Sequence, residues 1–217
     1  MNLEQARFNM IEQQIRPWEV LDQGVLSLLA VVRREDFVPA ACRALAFIDT
    51  EVPLPEGQCM LAPRVEARLL QELRLTRDDS VLEIGAGSGY MAALLAHQAG
   101  RVITLEIRPA LAAMARATLQ RAGIGNAQVI EGDGAKTHTA QAPFDAIVLS
   151  GSVAEVPAAL LAQLKTGGRL VAIVGQEPVM RAVHISRVAE HQYKRVELFD
   201  TVAPRLGGFG EPSRFQF

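Results

Sequence analysis

The chain has few of the side chains that usually carry covalent or metal chemistry. Its 217 residues include only two cysteines, Cys42 and Cys59, and four histidines. Two cysteines so placed form neither a disulfide framework nor a Cys-x-x-Cys metal site, and both are expected to be thiols. His97, His138, His184 and His191 show no zinc-type pairing with one another or with nearby carboxylates, so no metal is expected. Charge of one sign is lacking as well. Lys plus Arg number 22 against 24 for Asp plus Glu, a net charge of −2, and no segment concentrates like charges. That balance speaks against nucleic acid and against an anionic membrane surface as partners. Long apolar runs are absent: VLSLLAVV at 25–32 falls far short of the roughly 20 residues a membrane helix needs. MNLEQARFNMIEQQIRP has no charged-then-apolar targeting pattern. A cytoplasmic protein is expected.

What the chain does have is apolar content, 49% of its residues, enough for one sizeable core and hence a single domain. Up to about residue 75 the period is helical. Phe8, Ile11 and Ile15 share one face until Pro17 stops the helix, and Asp22 is placed to cap a second helix bearing Val25, Leu28, Leu29 and Val32. A third opens at Pro63, with Val65, Leu69, Leu70 and Leu73 as its apolar stripe. The loop at 55–62 leads into that helix and is itself apolar, with Cys59, Met60 and Leu61 where an active-site lip would carry hydroxyls. From residue 80, short apolar strands alternate with helices: VLEIG, then 88–98; VITLEI, then 109–122; AQVIEGD; FDAIVLSG, then 156–164; RLVAIVG. LKTGGR reads as a turn before the last of these, and AVHISRVA and YKRVELFD as two final strands. The Phe-containing tail, with Phe209, Phe215 and Phe217, reads as a packed final segment. This alternation predicts an α/β, Rossmann-like fold with a parallel sheet between helices.

In VLEIGAGSGY, Gly85, Ala86, Gly87, Ser88 and Gly89 follow a buried strand and open a helix. Such a loop brings backbone close to a ligand, and the helix N-terminus offers N–H groups to an anion. The dinucleotide fingerprint would need glycine at 90, where Tyr90 stands, which disfavours NAD and FAD. Glu106 ends the second strand, where an acid accepts hydrogen bonds from both ribose hydroxyls. Asp133, followed by Gly134, ends the third, within reach of an adenine amine, and Glu83 faces the ammonium of an amino-acid moiety. Ribose, adenine and a zwitterionic amino acid together describe S-adenosylmethionine. Each acid alone reads better as a strand cap; the ordered set reads as a cofactor site.

These motifs carry a resemblance. In MIEQQIRP followed by REDFVP, in GQxxxAP, VLEIGAGSGY and EGDG, and in PFDAIVLSG with LKTGGRLVAIVG, the chain resembles the protein-L-isoaspartate O-methyltransferases. The resemblance implies a seven-stranded methyltransferase sheet (76–217) behind a helical cap and substrate loop (1–75). It also implies S-adenosylmethionine bound through Glu83, Gly85, Gly87, Gly89, Glu106 and Asp133, and methyl transfer to the stray carboxylate of isoaspartyl residues in damaged protein or peptide. The family's substrate loop usually reads GQTIS; here Cys59 replaces the threonine and Leu61 the serine. Losing a hydrogen-bond partner costs a desolvated group about 1–3 kcal/mol, so weakened isoaspartyl turnover is expected. Two other readings stand beside it: methylation of another small molecule or peptide, and a module that binds S-adenosylmethionine without turnover.

Overall fold

A computed structural model describes residues 2–136 and 140–210. His138, Phe215 and Phe217 lie outside them. The Asn2 side chain accepts the Gln5 N–H at 3.2 Å and starts α1, Leu3–Met10. The chain then continues through a wider turn at Ile11–Ile15 and a tight one at Arg16–Trp18. Met10, Ile11 and Ile15 are buried, but Phe8 is 59% exposed, against the expectation that it shares their face. The inward stripe is centred on Arg7, Ile11 and Ile15 instead, because Arg7 pairs with the buried carboxylate of Glu35. An ion pair thus takes the place that hydropathy assigns to an aromatic ring.

Asp22 caps α2, Gln23–Val31, by accepting the Val25 N–H at 3.0 Å; Val25, Leu29 and Val32 are buried as expected, while Leu28 is only half-buried. The cap is not helical throughout. Tight turns at Arg34–Asp36 and Ala40–Phe47 lead into a small hairpin of β1, Val52–Pro53, and β2, Cys59–Met60. The presumed loop therefore contains a strand. Pro63 opens α3, Pro63–Leu73, and the predicted stripe Val65, Leu69, Leu70 and Leu73 is buried.

The remainder is a doubly wound sheet. Its strands are β3 (Ser80–Ile84), β4 (Arg101–Glu106), β5 (Ala127–Glu131), β6 (Phe144–Val153), β7 (Leu164–Gln176), β8 (Val179–Ala189) and β9 (Gln192–Asp200). They lie in the order β5-β4-β3-β6-β7-β8-β9, parallel up to β7 and antiparallel beyond it. The chain reverses direction across the sheet between β3 and β6, and the carboxyl ends of strands at such a switch point form a ligand crevice. Helices α4 (Tyr90–Gln98) and α5 (Pro109–Arg121) cross between the first strands. The helix expected over 156–164 shrinks to α6, Ala158–Leu161, since Leu164 already pairs with Phe144 in the ladder. LKTGGR accordingly lies within β7, with an irregular register and Gly167 in the left-handed region. The cap, α3 and α4 share one core, to which β8 adds Met180 and Ala182; α6, Phe209 and Val183 and Ile185 of β8 belong to a second on the opposite face. Among the described residues no helix is long and apolar enough to cross a membrane, and no cluster of three or more His, Cys, Asp or Glu is placed to hold a metal ion.

Candidate cofactor and methyl-acceptor site

Glu83 sits near the carboxyl end of β3 and is wholly buried. One oxygen accepts the Ser150 hydroxyl at 2.7 Å, from the adjacent strand β6. Thr104 stands nearby on β4, yet neither its hydroxyl nor Glu83 Oε2 completes a hydrogen bond of ordinary geometry. Burial pushes this carboxyl up to about 8, with partial relief from the Ser150 and Thr104 hydroxyls. An unpartnered buried acceptor is costly, and one at the mouth of a glycine loop is a seat for a donor.

The loop after β3 turns through Gly85, Gly87 and Gly89, all in the left-handed region. Its amides are not left open as expected from the sequence. The Gly85 N–H donates to Leu105 O at 2.8 Å, the Gly87 N–H to Glu106 Oε2 at 2.9 Å, and the Gly89 N–H to Ala86 O at 2.7 Å. Gly89 faces away from any ligand: a Cβ there would lie 2.9 Å from Thr118 Oγ1 and 3.2 Å from Ala115 O on α5. It is a packing glycine that lets α4 approach α5. Thr118 reinforces the junction by donating to Ser88 O at 2.6 Å. Ala86 and Ser88 are both buried.

Glu106 closes β4. One oxygen holds the Gly87 N–H and the other the Arg108 N–H at 3.1 Å, which fixes the carboxylate beside the loop while each oxygen retains a second lone pair. Asp133 follows β5; its Oδ1 accepts the Ala135 N–H at 3.0 Å and Oδ2 pairs with Lys136 at 3.1 Å. Gly132 and Gly134, rather than Asp133 itself, line the cavity that Glu106, Gly85 and Gly87 border, a space of about 50 Å³. Gly208 of the segment after β9 lies against the Asp133 carboxylate.

A second, smaller cavity of about 20 Å³ lies beneath the lip and shares Cys59, Gly85, Gly87 and Ser150 with the first. Met60, Leu61, Glu66, Glu83 and Tyr90 are also among its lining. Met60 and Leu61 are each 4% exposed and belong to the core shared with the cap. Cys59 is half-buried, and burial, reinforced by the nearby Glu51 and Glu66 carboxylates, pushes its thiol up to about 12. The inert thiol expected from the sequence is in keeping with that value. Glu66, buried on α3, is pushed up to about 7 by burial against the pull of Arg34.

Residues 5–202 match the family model described as protein-L-isoaspartate(D-aspartate) O-methyltransferase (PCMT). A Koribacter versatilis protein named protein-L-isoaspartate O-methyltransferase is 39% identical over 214 residues, covering 98% of this chain and 95% of that one. The chain belongs to this family. A Rhodopseudomonas palustris member is 42% identical over 203 residues, 93% of each chain. The fold is shared with a Plasmodium falciparum family structure in complex with S-adenosyl-L-homocysteine, at TM-score 0.78 and 22% identity, over 92% of this chain and 97% of that one.

The family's glycine loop and strand-end acids were legible as motifs; three contributors to the site were not. Ser150 bonds Glu83 across the switch point, and its place at the end of FDAIVLS beside β3 was the available signal. Leu206 packs over Gly85 and Gly151, where an added Cβ would lie 2.7 and 2.8 Å from its side chain. Its segment is held by Ser152, whose N–H donates to Pro204 O at 2.8 Å and whose carbonyl accepts the Leu206 N–H at 2.9 Å. Nothing in the tail's composition indicates that return. Glu66 is the third, a charge three, four and seven residues before Leu69, Leu70 and Leu73 of the buried stripe.

Proposed function

We propose that the protein transfers a methyl group from S-adenosylmethionine to the carboxylate of isoaspartyl residues in damaged protein or peptide. The observation that carries this reading is the pair of strand-end acids around the glycine loop, Glu83 with an unpartnered buried oxygen and Glu106 with lone pairs to spare, in a chain of this family. The residues present fit the cofactor. Glu83 Oε2 is an acceptor for its ammonium, Glu106 for its ribose hydroxyls, and Gly132 and Gly134 border a face suited to the base. Bound S-adenosylmethionine supplies an activated methyl group on a sulfonium.

The chain's own residues need do little proton chemistry. A carboxylate acceptor is ionised at neutral pH, with a reference pKa near 4, so no general base is required. Positioning is then the main task. The lip residues Cys59, Met60 and Leu61 wall the cavity between Glu83 and the glycine loop, the place where an acceptor would meet the methyl group. Cys59 does not compete as a nucleophile, because a thiol raised to about 12 is thiolate in only about one molecule in 10⁵ at pH 7. The lip offers no side-chain hydroxyl, so turnover of isoaspartyl peptide is expected to fall below that of a relative with Thr and Ser there.

The test is incubation with labelled S-adenosylmethionine and an isoaspartyl peptide beside its aspartyl twin. Label is expected in the isoaspartyl peptide alone, as a base-labile ester. Label in neither peptide but in another carboxylate compound would move the acceptor; S-adenosylhomocysteine binding with no transfer to any acceptor would reduce the protein to a binding module.

A further inference from the structure

Arg34 is wholly buried, and three separate parts of the chain converge on its guanidinium. It lies in the turn after α2. Nη1 pairs with the Glu66 carboxylate on α3, and Nη2 donates to the Leu61 carbonyl of the lip at 2.7 Å. The guanidinium carbon lies 5.1 Å from the ring centre of Tyr90, the first residue of α4 after the glycine loop. Phe37 packs on Tyr90 in turn, with ring centroids 5.4 Å apart.

A buried ion pair is a poor way to gain stability, since desolvation offsets its attraction and an apolar pair of like volume often does as well. What an apolar pair cannot do is hold a backbone carbonyl. Leu61 is the residue between the β1–β2 hairpin, which pins the lip at Met60 and Cys59, and Ala62, which precedes α3. The lip shares a cavity wall with Gly85 and Gly87, so the orientation of the Leu61 peptide bears directly on the shape of that wall. The planar fork of an arginine bonds two directions at once, toward Glu66 and toward Leu61, while its face rests on Tyr90. The lip is thereby referenced to the start of α4, and so to the cofactor loop.

We propose that Arg34, oriented by Glu66 and Tyr90, is a positioning residue that fixes the lip backbone at Leu61 relative to the glycine loop and so sets where the acceptor carboxylate is presented. The activity part of this inference rests on the proposed function; the structural part does not.

The experiment compares wild type, Arg34→Lys, and the double variant Arg34→Met with Glu66→Leu, which replaces the ion pair by apolar side chains. Five quantities are read: thermal midpoint, S-adenosylhomocysteine affinity, amide exchange in residues 58–62, and kcat and KM on isoaspartyl peptide. The double variant should stay folded, its midpoint lowered by roughly 2–10 °C for the unpaired Leu61 carbonyl, and bind S-adenosylhomocysteine within about two-fold of wild type. Its lip amides should exchange about ten-fold or more faster, and kcat should fall about ten- to a hundred-fold with KM changed less, as expected for loss of one charge-assisted bond to a positioning loop. Lysine, a point charge without the fork, should fall between the two. A stable double variant with wild-type lip exchange and turnover would show the pair to be packing only and overturn the proposal. If the double variant does not fold, Arg34→Lys decides by the same exchange measurement, wild-type exchange again overturning it. If wild type binds S-adenosylhomocysteine but leaves isoaspartyl peptide unmethylated, the acceptor reading fails, and lip exchange still supports or overturns the role of Arg34.

Discussion

Cofactor affinity should depend on pH through Glu83. Its carboxyl is raised from an ordinary value of 4.5 to about 8, chiefly by burial, and one of its oxygens has no partner. At pH 7 about one-tenth of free protein then carries Glu83 ionised, and at pH 6 about one-hundredth. An ammonium binds the ionised form, while the ligand's own amine stays mostly charged between pH 6 and pH 7. The affinity for S-adenosylhomocysteine should therefore rise about ten-fold between pH 6 and pH 7, nearly one proton leaving per ligand bound, and level off above about pH 8. Titration calorimetry in two buffers of different ionisation enthalpy reads both the slope and the released proton. Glu83→Gln should flatten the slope and, at pH 8, weaken binding about ten-fold or more, the worth of a charged hydrogen bond. Stability should move the opposite way. An acid whose folded pKa lies above its unfolded value contributes stability that is fully present below about 4.5 and is lost as pH rises through about 8. Ligand-free wild type should thus lose melting temperature over that window relative to Glu83→Gln. A dissociation constant that stays flat from pH 6 to pH 7 with no proton release would refute the assignment of Glu83 to the ammonium.

Three further outcomes follow from the site. Glu106→Ala should weaken S-adenosylhomocysteine about ten-fold or more, since a charged acceptor bond is worth about 1.5–3 kcal/mol and Gly87 also loses its anchor; unchanged affinity by calorimetry would remove Glu106 from the ribose. Gly87→Val and Gly89→Ala should behave differently. Both positions are in the left-handed region, so each variant carries a shared strain of about 1–2 kcal/mol; beyond it a Cβ at Gly87 meets only the Leu54 methyl, at 3.3 Å, so that variant should lose binding beyond its melting loss, whereas a Cβ at Gly89 strikes the α5 backbone and should lower the melting temperature further. Equal melting losses in the two would make Gly87 a structural glycine as well. Cys59→Thr with Leu61→Ser should raise isoaspartyl turnover with little change in cofactor affinity. It should also destabilise the protein by about 2–5 kcal/mol, because Leu61 is 4% exposed in the cap's core. A folded, cofactor-binding double variant with unimproved turnover would place acceptor specificity elsewhere, for instance at Ser150 or Leu206.

The parts of this molecule that were readable are those whose burial leaves a simple trace in sequence. Strands β3, β4, β6 and β7 are covered on both faces over most of their length, so they survive as apolar runs, and in three of them the run stops at a residue that changes the texture: the glycine after β3, Glu106 in β4 and the Ser150–Gly151 pair in β6. The cofactor acids were found because strand ends in a parallel sheet share one edge, so position along the chain converts directly into position at the site. The cap resists the same reading, because charge is buried in it. Hydropathy places Arg7 and Arg34 outward and Phe8 inward; the fold does the reverse, since each arginine finds a buried carboxylate, Glu35 or Glu66, 28 or 32 residues away. Nothing in a window of helical length carries those pairings. One trace was nonetheless available, in Glu66 among Val65, Leu69 and Leu70: a charge in a buried stripe needs a partner of opposite sign. The partner it meets also holds the Leu61 carbonyl, so the rule that explains the misread cap leads directly to the residue that joins cap to lip.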